Sequence, residues 1–324
     1  MIDWVARLGI DAYLYAPKAD AALRKRWQEP WQSTYEQSIA RLVACCERSG
    51  LDLHIGLSPF ALYQAYTPKA RQLLREKVLK LVELGCTGLG LLFDDMPGDV
   101  EDLAQRQAAI CNDVADWLGP ASLTMCPTYY SDDPALDNFF GQRPSAYLEV
   151  LGDCLDDSVK VFWTGELVVA PAIGGSHVAD VARRLGRPLS LWDNYPVNDS
   201  KLRSEHIYAQ PLPHRDPSMS QNLAAHWCNA MNQAALSLPA LASLPALYGV
   251  GTAEFHQVLT EAGLTPNVIT ACAPLSTQTR SEFLAAAVES HGQFDPQSGE
   301  TLAALELSAW LRGEYEFDPD CLTD

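Results

Sequence analysis

Short apolar runs rich in β-branched or aromatic residues alternate with segments of helical periodicity over roughly the first 250 residues. This alternation is typical of βαβ units, which set parallel strands side by side in one sheet and pack helices outside it. It predicts an α/β protein. The seven predicted strands are Ile10 to Tyr15, Leu51 to Leu57, Gly88 to Phe93, Ser122 to Cys126, Val159 to Trp163, Leu189 to Trp192 and Ala224 to Cys228.

The predicted helices have recognisable ends. Ser33 to Glu36 has the pattern of a capping box, and Thr67 followed by Pro68 is typical of an N-cap before a helix. Gly50 and Gly85 are expected to end the helices that these signals begin. Further helices are predicted from about Val100 to Leu118 and from about Gln233 to Leu247.

Seven strand-helix units are one short of a (β/α)8 barrel. The opening residues, DWVARLG, have the pattern of the end of a helix, so the first strand is expected upstream of Met1. A flavodoxin-like open sheet is the alternative, but a length of about 250 residues favours a TIM-type barrel with its first strand missing. The predicted division is 1–250 for the barrel, 251–315 for a helical region and 316–324 for an acidic tail, with C-terminal helices at Ala253 to Ala262, Gln278 to Ser290 and Thr301 to Leu311.

The charge and cysteine content exclude several classes of partner. The net charge is -18, from 23 basic and 41 acidic residues, and it would repel nucleic acid and anionic membranes. No apolar run approaches the length of a membrane span, and the start lacks the pattern of an export signal. The nine cysteines are scattered without a C-x-x-C pair, which indicates neither a disulfide framework nor a zinc site and favours a cytoplasmic protein.

Polar and aromatic residues follow most of the predicted strands. In a barrel, the residues after the strands form the active site. Acids, amides and flat rings together suit a sugar, because acids protonate a leaving oxygen and rings cover the pyranose faces. These residues are Lys18 after the first strand, Asp94 and Asp95 after the third, Tyr129 and Tyr130 after the fourth, Trp163 after the fifth, Trp192, Asp193 and Asn194 after the sixth, and Asn229 after the seventh.

Each of these residues also has a plainer interpretation. Asp94 and Asp95 could cap the next helix, or gather Mg²⁺ or Ca²⁺ with Asp193 or Asp199. Lysines in loops are usually solvated, tryptophans usually pack, and asparagines often occupy turns. The position of the Asp pair directly after an all-apolar strand favours catalysis, since two carboxylates in a poorly hydrated pocket do not both ionise freely and one can act as a general acid. No cofactor or metal is predicted.

Five segments together resemble the catalytic domain of glycoside hydrolase family 84, the O-GlcNAcases and related β-N-acetylglucosaminidases. The resemblance covers about residues 1 to 240. The segments, in chain order, are YLYAPKAD (Tyr13 to Asp20), LLFDDM (Leu91 to Met96), CPTYY (Cys126 to Tyr130), WTG (Trp163 to Gly165) and WDNYPVND (Trp192 to Asp199).

The resemblance implies retaining hydrolysis in which the sugar's own 2-acetamido oxygen attacks the anomeric carbon and forms an oxazoline. Asp94 would orient the acetamido group, and Asp95 would act as general acid and then as base. Neighbouring carboxylates suit this mechanism, because the protein supplies no nucleophile. The other implied binding residues are Lys18, Tyr130 and Trp192 around the acetamido group, Asn194 and Asp199 at the sugar hydroxyls, and Asn229 on the sugar.

Some positions depart from the family pattern. Ala230 stands where proline is usual, Tyr129 stands where an acid is common, and a Gly-Phe-Tyr-Gly-like turn of the first strand is absent. The resemblance implies a glycosidase that acts on a GlcNAc-bearing glycoside or glycoprotein. The alternatives are a truncated, catalytically impaired homologue that only binds GlcNAc, and a hyaluronidase-like enzyme. The C-terminal helices offer a surface for a homodimer.

Overall fold

The computed structural model describes residues 1–251, 253–289, 301–315 and 317. All seven predicted strands are present, and they pair in parallel in the order of the chain. Their lengths suit the short apolar runs from which they were predicted. The strands are β1 (Ala12–Tyr15), β2 (Asp52–Leu57), β3 (Gly88–Leu92), β4 (Ser122–Cys126), β5 (Lys160–Trp163), β6 (Leu189–Asp193) and β7 (Leu223–Cys228).

Helices connect and flank these strands. Within the described residues, five of them follow β7 and form a C-terminal group. Ser290, the predicted end of the helix that begins near Gln278, lies outside those residues, as does nearly all of the predicted acidic tail. The helices are α1 (Ile2–Arg7), α2 (Ser33–Arg48), α3 (Pro68–Glu83), α4 (Leu103–Leu118), α5 (Ala135–Phe140), α6 (Tyr147–Cys154), α7 (Gly175–Leu185), α8 (Leu238–Leu247), α9 (Phe255–Glu261), α10 (Pro266–Cys272), α11 (Arg280–Glu289) and α12 (Leu302–Leu311).

The sheet curls into a barrel that is one strand short, as predicted. Each interior strand pairs with both of its neighbours, whereas β1 pairs with β2 and β7 pairs with β6. In the part of the chain that the structure describes, no strand lies between β1 and β7. Residues of both edge strands line one cavity of about 690 Å³, so the open side of the barrel is continuous with this cavity.

The ends of α2 and α3 test the helix signals. The N-cap of α3 is Thr67, whose side chain accepts a hydrogen bond from the Ala70 amide, as predicted. The capping box predicted at Ser33 is wrong, because Ser33 is already the first helical residue and Gln32, the N-cap, makes no capping hydrogen bond. Gly50 and Gly85 follow the last turns of these helices with positive φ angles of 72° and 94°, as helix-terminating glycines do.

Two predicted helices begin later than expected. Helix α4 begins at Leu103 rather than near Val100, because the N-cap Asp102 has a left-handed backbone with a φ of 55° that a helix does not continue through. Helix α8 begins at Leu238 rather than near Gln233, with a proline in its first turn, where proline is tolerated. Both differences lengthen a loop at the end of the barrel where the predicted site lies.

The buried apolar side chains form two clusters. The larger cluster fills the barrel and packs the surrounding helices onto it. The second joins the C-terminal helices to the segment after β6, and its members run from Ile207 to Trp310, together with Leu8 near the start of the chain. Among the helices described, none is both long and apolar enough to cross a membrane.

Candidate active site

Four of the predicted site residues come together at the ends of β1, β3 and β4. The ammonium group of Lys18 forms an ion pair with the Asp95 carboxylate and lies 3.5 Å from Oδ2 of Asp94. The phenol of Tyr130 donates a hydrogen bond of 3.0 Å to Oδ1 of Asp95. One cation therefore contacts both carboxylates and offsets their mutual repulsion.

The two aspartates have different surroundings. The side chain of Asp95 is fully buried, and both of its carboxylate oxygens are bonded, one to Tyr130 and the other to Lys18. The side chain of Asp94 keeps 16% of its exposure, and its Oδ1 atom is buried without a hydrogen-bond partner. An unpaired buried acceptor is costly, so this oxygen is a place where a donor from a ligand would be stabilised.

The backbone of Asp95 adopts a left-handed conformation with a φ of 54°. Such a conformation costs a non-glycine residue about 1–3 kcal/mol, and it persists only where neighbouring groups hold it. The buried guanidinium of Arg24 provides one such contact, since it donates to the Asp95 carbonyl over 3.3 Å and to the Ser58 hydroxyl over 2.8 Å. Arg24 was not predicted as a site residue, because nothing in its loop sequence distinguishes it from a solvated arginine.

A second group of predicted residues lies at the ends of β6 and β7. The indole of Trp192 donates to the side-chain oxygen of Asn194 over 3.1 Å, and the Asn229 amide donates to the same oxygen over 3.0 Å. Asn194 in turn donates to the carbonyl of Val168 over 2.8 Å. Hydrogen bonds thus fix the relative positions of these three side chains.

Most of the predicted residues share the 690 Å³ cavity. Its walls come from the edges of β1 and β7 and from the loops that follow the strands. Asp95 instead borders a smaller neighbouring cavity. Tyr130 lines neither cavity but is hydrogen-bonded to Asp95, and Asn194 lines neither but is hydrogen-bonded to Trp192. The predicted residues that line the larger cavity are Lys18, Asp94, Trp192, Asp199 and Asn229.

A buried charge cluster supports this second group. The carboxylate of Asp193 forms two hydrogen bonds of 2.6 and 2.8 Å with Arg215 and lies 3.2 Å from Nε2 of His226. Burial alone would raise the pKa of Asp193, but the hydrogen bonds from Arg215 and His226 outweigh burial and hold it below its ordinary value. No role was predicted for His226, and its position inside the last strand is the one sequence signal that could have pointed to it.

This cluster bears on the metal alternative. Since the Asp193 carboxylate is bonded to Arg215, it is not placed to join Asp94 and Asp95 around a cation. Across the described ranges, no group of three or more histidine, cysteine, aspartate or glutamate side chains is arranged to hold a metal ion.

A parallel barrel with adjacent carboxylates, amides and aromatic rings at the ends of its strands suits a glycoside hydrolase. A family model described as beta-N-acetylglucosaminidase matches residues 1–260, and the chain belongs to this family.

Curated relatives and solved structures agree with this family. Protein O-GlcNAcase of Mus musculus is 28% identical over 199 residues, and that of Rattus norvegicus is 27% identical over the same length. The match covers 59% of this chain, and the chain spans only 21% of the length of either relative.

Two solved structures have the same fold. A mutant of the Thermobaculum terrenum O-GlcNAc hydrolase superposes with a TM-score of 0.75 at 25% identity, covering 97% of this chain and 76% of that one. The structure of CpGH84B superposes with a TM-score of 0.72 at 21% identity, covering 95% of this chain and 57% of that one. At that identity the second likeness supports the fold alone.

Proposed function

We propose that this protein hydrolyses terminal β-linked N-acetylglucosamine from glycoproteins or small glycosides. The observation that carries the proposal is the buried Oδ1 atom of Asp94, which has no hydrogen-bond partner and belongs to a residue lining the 690 Å³ cavity. An acetamido N–H is a donor that would satisfy this oxygen. Family membership and the names of the relatives support the same substrate class.

In the first step, the acetamido oxygen of the substrate attacks the anomeric carbon, and the bond to the leaving oxygen breaks. Asp94 accepts the N–H hydrogen bond and stabilises the positive charge that develops on the nitrogen as the oxazoline forms. Asp95 donates its proton to the leaving oxygen. In the second step, Asp95 takes a proton from water, the water oxygen bonds to the anomeric carbon, and the acetamido group re-forms with retained configuration.

This chemistry requires a change at Asp95. Its carboxyl group is buried and bonded to Lys18 and Tyr130, so it must gain a proton and lose one of these contacts before it can reach a leaving oxygen. Binding of the acetamido group near Lys18 would loosen the Lys18–Asp95 ion pair, because the acetamido group and the Asp95 carboxylate compete for the same ammonium group. Contacts of this kind commonly rearrange when substrate binds.

The remaining predicted residues would bind the sugar. Lys18, Tyr130 and Trp192 would surround the acetamido group, with the Trp192 indole already fixed by Asn194. Asn194 and Asp199 would hold the sugar hydroxyls, and Asn229 would also contact the sugar. A reducing compartment such as the cytoplasm agrees with the cysteines, since all eight that the structure describes are free.

The test is hydrolysis of an aryl β-N-acetylglucosaminide by Asp95→Asn. We expect kcat/KM to fall by about 10²- to 10⁴-fold, because general acid–base catalysis contributes about that much. Asp102→Asn is the matched control, since Asp102 is exposed and has the same left-handed backbone, with a φ of 55°, but lies outside both cavities. Asp102→Asn should retain the wild-type rate. Unchanged turnover in Asp95→Asn would contradict the proposal.

A second candidate function is binding of N-acetylglucosamine without turnover. The observation in its favour is the open side of the barrel between β1 and β7, which is continuous with the cavity and would admit water around the sugar. Turnover of the aryl glycoside, measured beside binding of an oxazoline mimic, distinguishes the two functions. Tight binding together with hydrolysis supports the enzyme, whereas binding of the mimic by a protein that turns over no substrate supports the second candidate.

A further inference from the structure

The loops after β6 and β7 together form one wall of the 690 Å³ cavity. Val197 and Asp199 line the cavity from the loop after β6, and residues 229–232 line it from the loop after β7. Asn198 and Gln233 adjoin these lining residues in the chain, but their exposed fractions are only 0% and 5%. Their side chains therefore lie behind the wall rather than in the cavity.

A hydrogen bond joins the two loops behind this wall. The side-chain nitrogen Nδ2 of Asn198 donates to Oε1 of Gln233 over 2.9 Å and to the carbonyl of His206 over 3.1 Å. Because a carbonyl oxygen only accepts hydrogen bonds, the His206 contact fixes which end of the Asn198 amide faces Gln233. The Gln233 amide must then turn its oxygen toward Asn198. The bond between the loops thus has one defined direction.

The loop after β7 is also held from its far side. The Ser237 hydroxyl donates to the carbonyl of Gln233 over 2.8 Å. The carboxylate of Glu306, in α12, accepts hydrogen bonds of 2.9 to 3.1 Å from the amides of Ala235 and Leu236. Gln233 therefore offers Asn198 a fixed anchor, and the C-terminal helices support that anchor from behind.

Packing alone does not explain an asparagine at this buried position. The Oδ1 atom of Asn198 is buried and has no hydrogen-bond partner in the part of the chain that the structure describes. A buried, unpaired acceptor costs free energy, and an apolar side chain of similar size would avoid that cost. A directional bond between two loops is what the asparagine provides and an apolar residue does not.

We propose that Asn198 is a positioning residue that sets the distance between Asp199 on one side of the wall and Asn229 on the other, so that the cavity recognises a ring hydroxyl of the sugar. This inference rests on the proposed function, which places the sugar in the 690 Å³ cavity and its hydroxyls near Asp199. The strength of a hydrogen bond falls steeply with distance and angle, so the spacing of the two loops decides how well they bind a hydroxyl.

The 4-hydroxyl is the group that reports this spacing. In a pyranose, C4 lies across the ring from C1, where the glycosidic bond breaks. A sugar held by its acetamido group at Asp94 and by its leaving oxygen at Asp95 therefore presents its 4-hydroxyl to the remaining walls. An aryl glycoside of 4-deoxy-N-acetylglucosamine lacks only this group, and its hydrolysis should not depend on the spacing of the two loops.

The experiment measures hydrolysis of the aryl β-N-acetylglucosaminide and its 4-deoxy analogue by wild type, Asn198→Leu, Gln233→Leu and the double variant. We expect each single substitution to raise KM for the full substrate about tenfold, with a smaller change in kcat, because roughly one sugar hydrogen bond is weakened. Hydrolysis of the 4-deoxy substrate should stay near the wild-type rate. The double variant should resemble either single variant, since both remove the same bond.

Asn112→Leu is the matched control. The Asn112 amide also joins two separate parts of the chain, because it donates to the carbonyl of Cys154 over 2.9 Å and accepts from the amide of Asp156 over 2.8 Å. These contacts lie before the start of β5, at the end of the barrel away from the site. The control should lower the midpoint of urea unfolding but discriminate between the two substrates as wild type does.

Three results would overturn the positioning role. They are an equal loss on both substrates in the single variants, an unchanged KM in both of them, and a double variant whose loss is the product of the two single losses. Either single variant is sufficient for the substrate comparison, so the test survives if one of them does not fold. If wild type hydrolyses neither glycoside, the proposed function itself fails, which separates the two failures.

Discussion

Asp94 and Asp95 are the same residue type at successive positions, and their different surroundings arise only in the folded chain. Lys18 and Tyr130 use both oxygens of Asp95, while one oxygen of Asp94 stays unpaired. Position after an apolar strand was enough to select the pair as a candidate site. Sequence reasoning could not assign the unpaired oxygen, because it depends on which side chains arrive from other loops.

A buried histidine gives a prediction at the same scale. His54 on β2 is 7% exposed, its ring lies 5.1 Å from that of Trp227, and burial lowers its pKa from 6.5 to about 4. The folded protein therefore resists protonation that the unfolded chain accepts. Between pH 6.5 and pH 4 the unfolded state binds more protons, so the stability contributed by neutral His54 is lost as the pH falls through this window.

We expect this loss to reach about 3 kcal/mol at pH 4, from a shift of roughly 2.5 pKa units. The measurement is the free energy of unfolding in urea at pH 7, 5.5 and 4 for wild type and His54→Leu. The variant should lose clearly less stability than wild type across the window. Parallel curves for the two proteins would show that His54 does not titrate in this way.

At the scale of elements, the strands followed closely from the sequence, while the helix ends followed less well. Short apolar runs of four to six residues bounded by turn residues indicate buried strands, and the predicted and observed strands differ by at most two residues at either end. Serine and threonine are ambiguous at helix starts, since either can be the cap or the first helical residue. No strong start signal marks α5, α6 or α7, whose N-caps make no side-chain hydrogen bond.

The two capping signals can be compared by mutation. Thr67→Ala should lower the free energy of unfolding by about 1 kcal/mol, because it removes the hydrogen bond that Thr67 accepts from the Ala70 amide. Ser33→Ala is the matched control, since Ser33 is already helical and alanine favours helix. Thermal or urea unfolding of both variants is the measurement. A larger loss in Ser33→Ala than in Thr67→Ala would reverse the assignment of the caps.

At the scale of the whole molecule, distant parts of the chain support the site. Arg7 in α1 pairs with Glu254 and Glu261, which ties the start of the chain to the C-terminal helices. The second apolar cluster joins those helices to the segment after β6. Arg215 links the loops around the sheet, because it bonds Asp193 on β6 as well as the carbonyls of Pro171 and Pro213.

Removing Arg215 should therefore be costly. Both side chains of the Arg215–Asp193 pair are 1% exposed, and Arg215→Met would leave a buried carboxylate without its main partner. We expect a loss of about 3–5 kcal/mol in the free energy of unfolding. Arg183→Met is the matched control, since Arg183 pairs with Asp180 at the surface and an exposed pair is worth about 0–1 kcal/mol. Similar losses in the two variants would contradict this role.

The sequence alone determined the parallel barrel with one strand missing, and it selected the end of the barrel where the candidate site lies and the candidate carboxylates. These properties depend on local patterns, namely apolar runs, their spacing and the residues that follow them. The tertiary structure alone decided that Lys18 and Tyr130 bond both oxygens of Asp95, that Arg24 holds the Asp95 carbonyl, and that Arg215 neutralises Asp193. Those contacts join residues far apart in the chain, and their energies depend on burial, which no local pattern specifies.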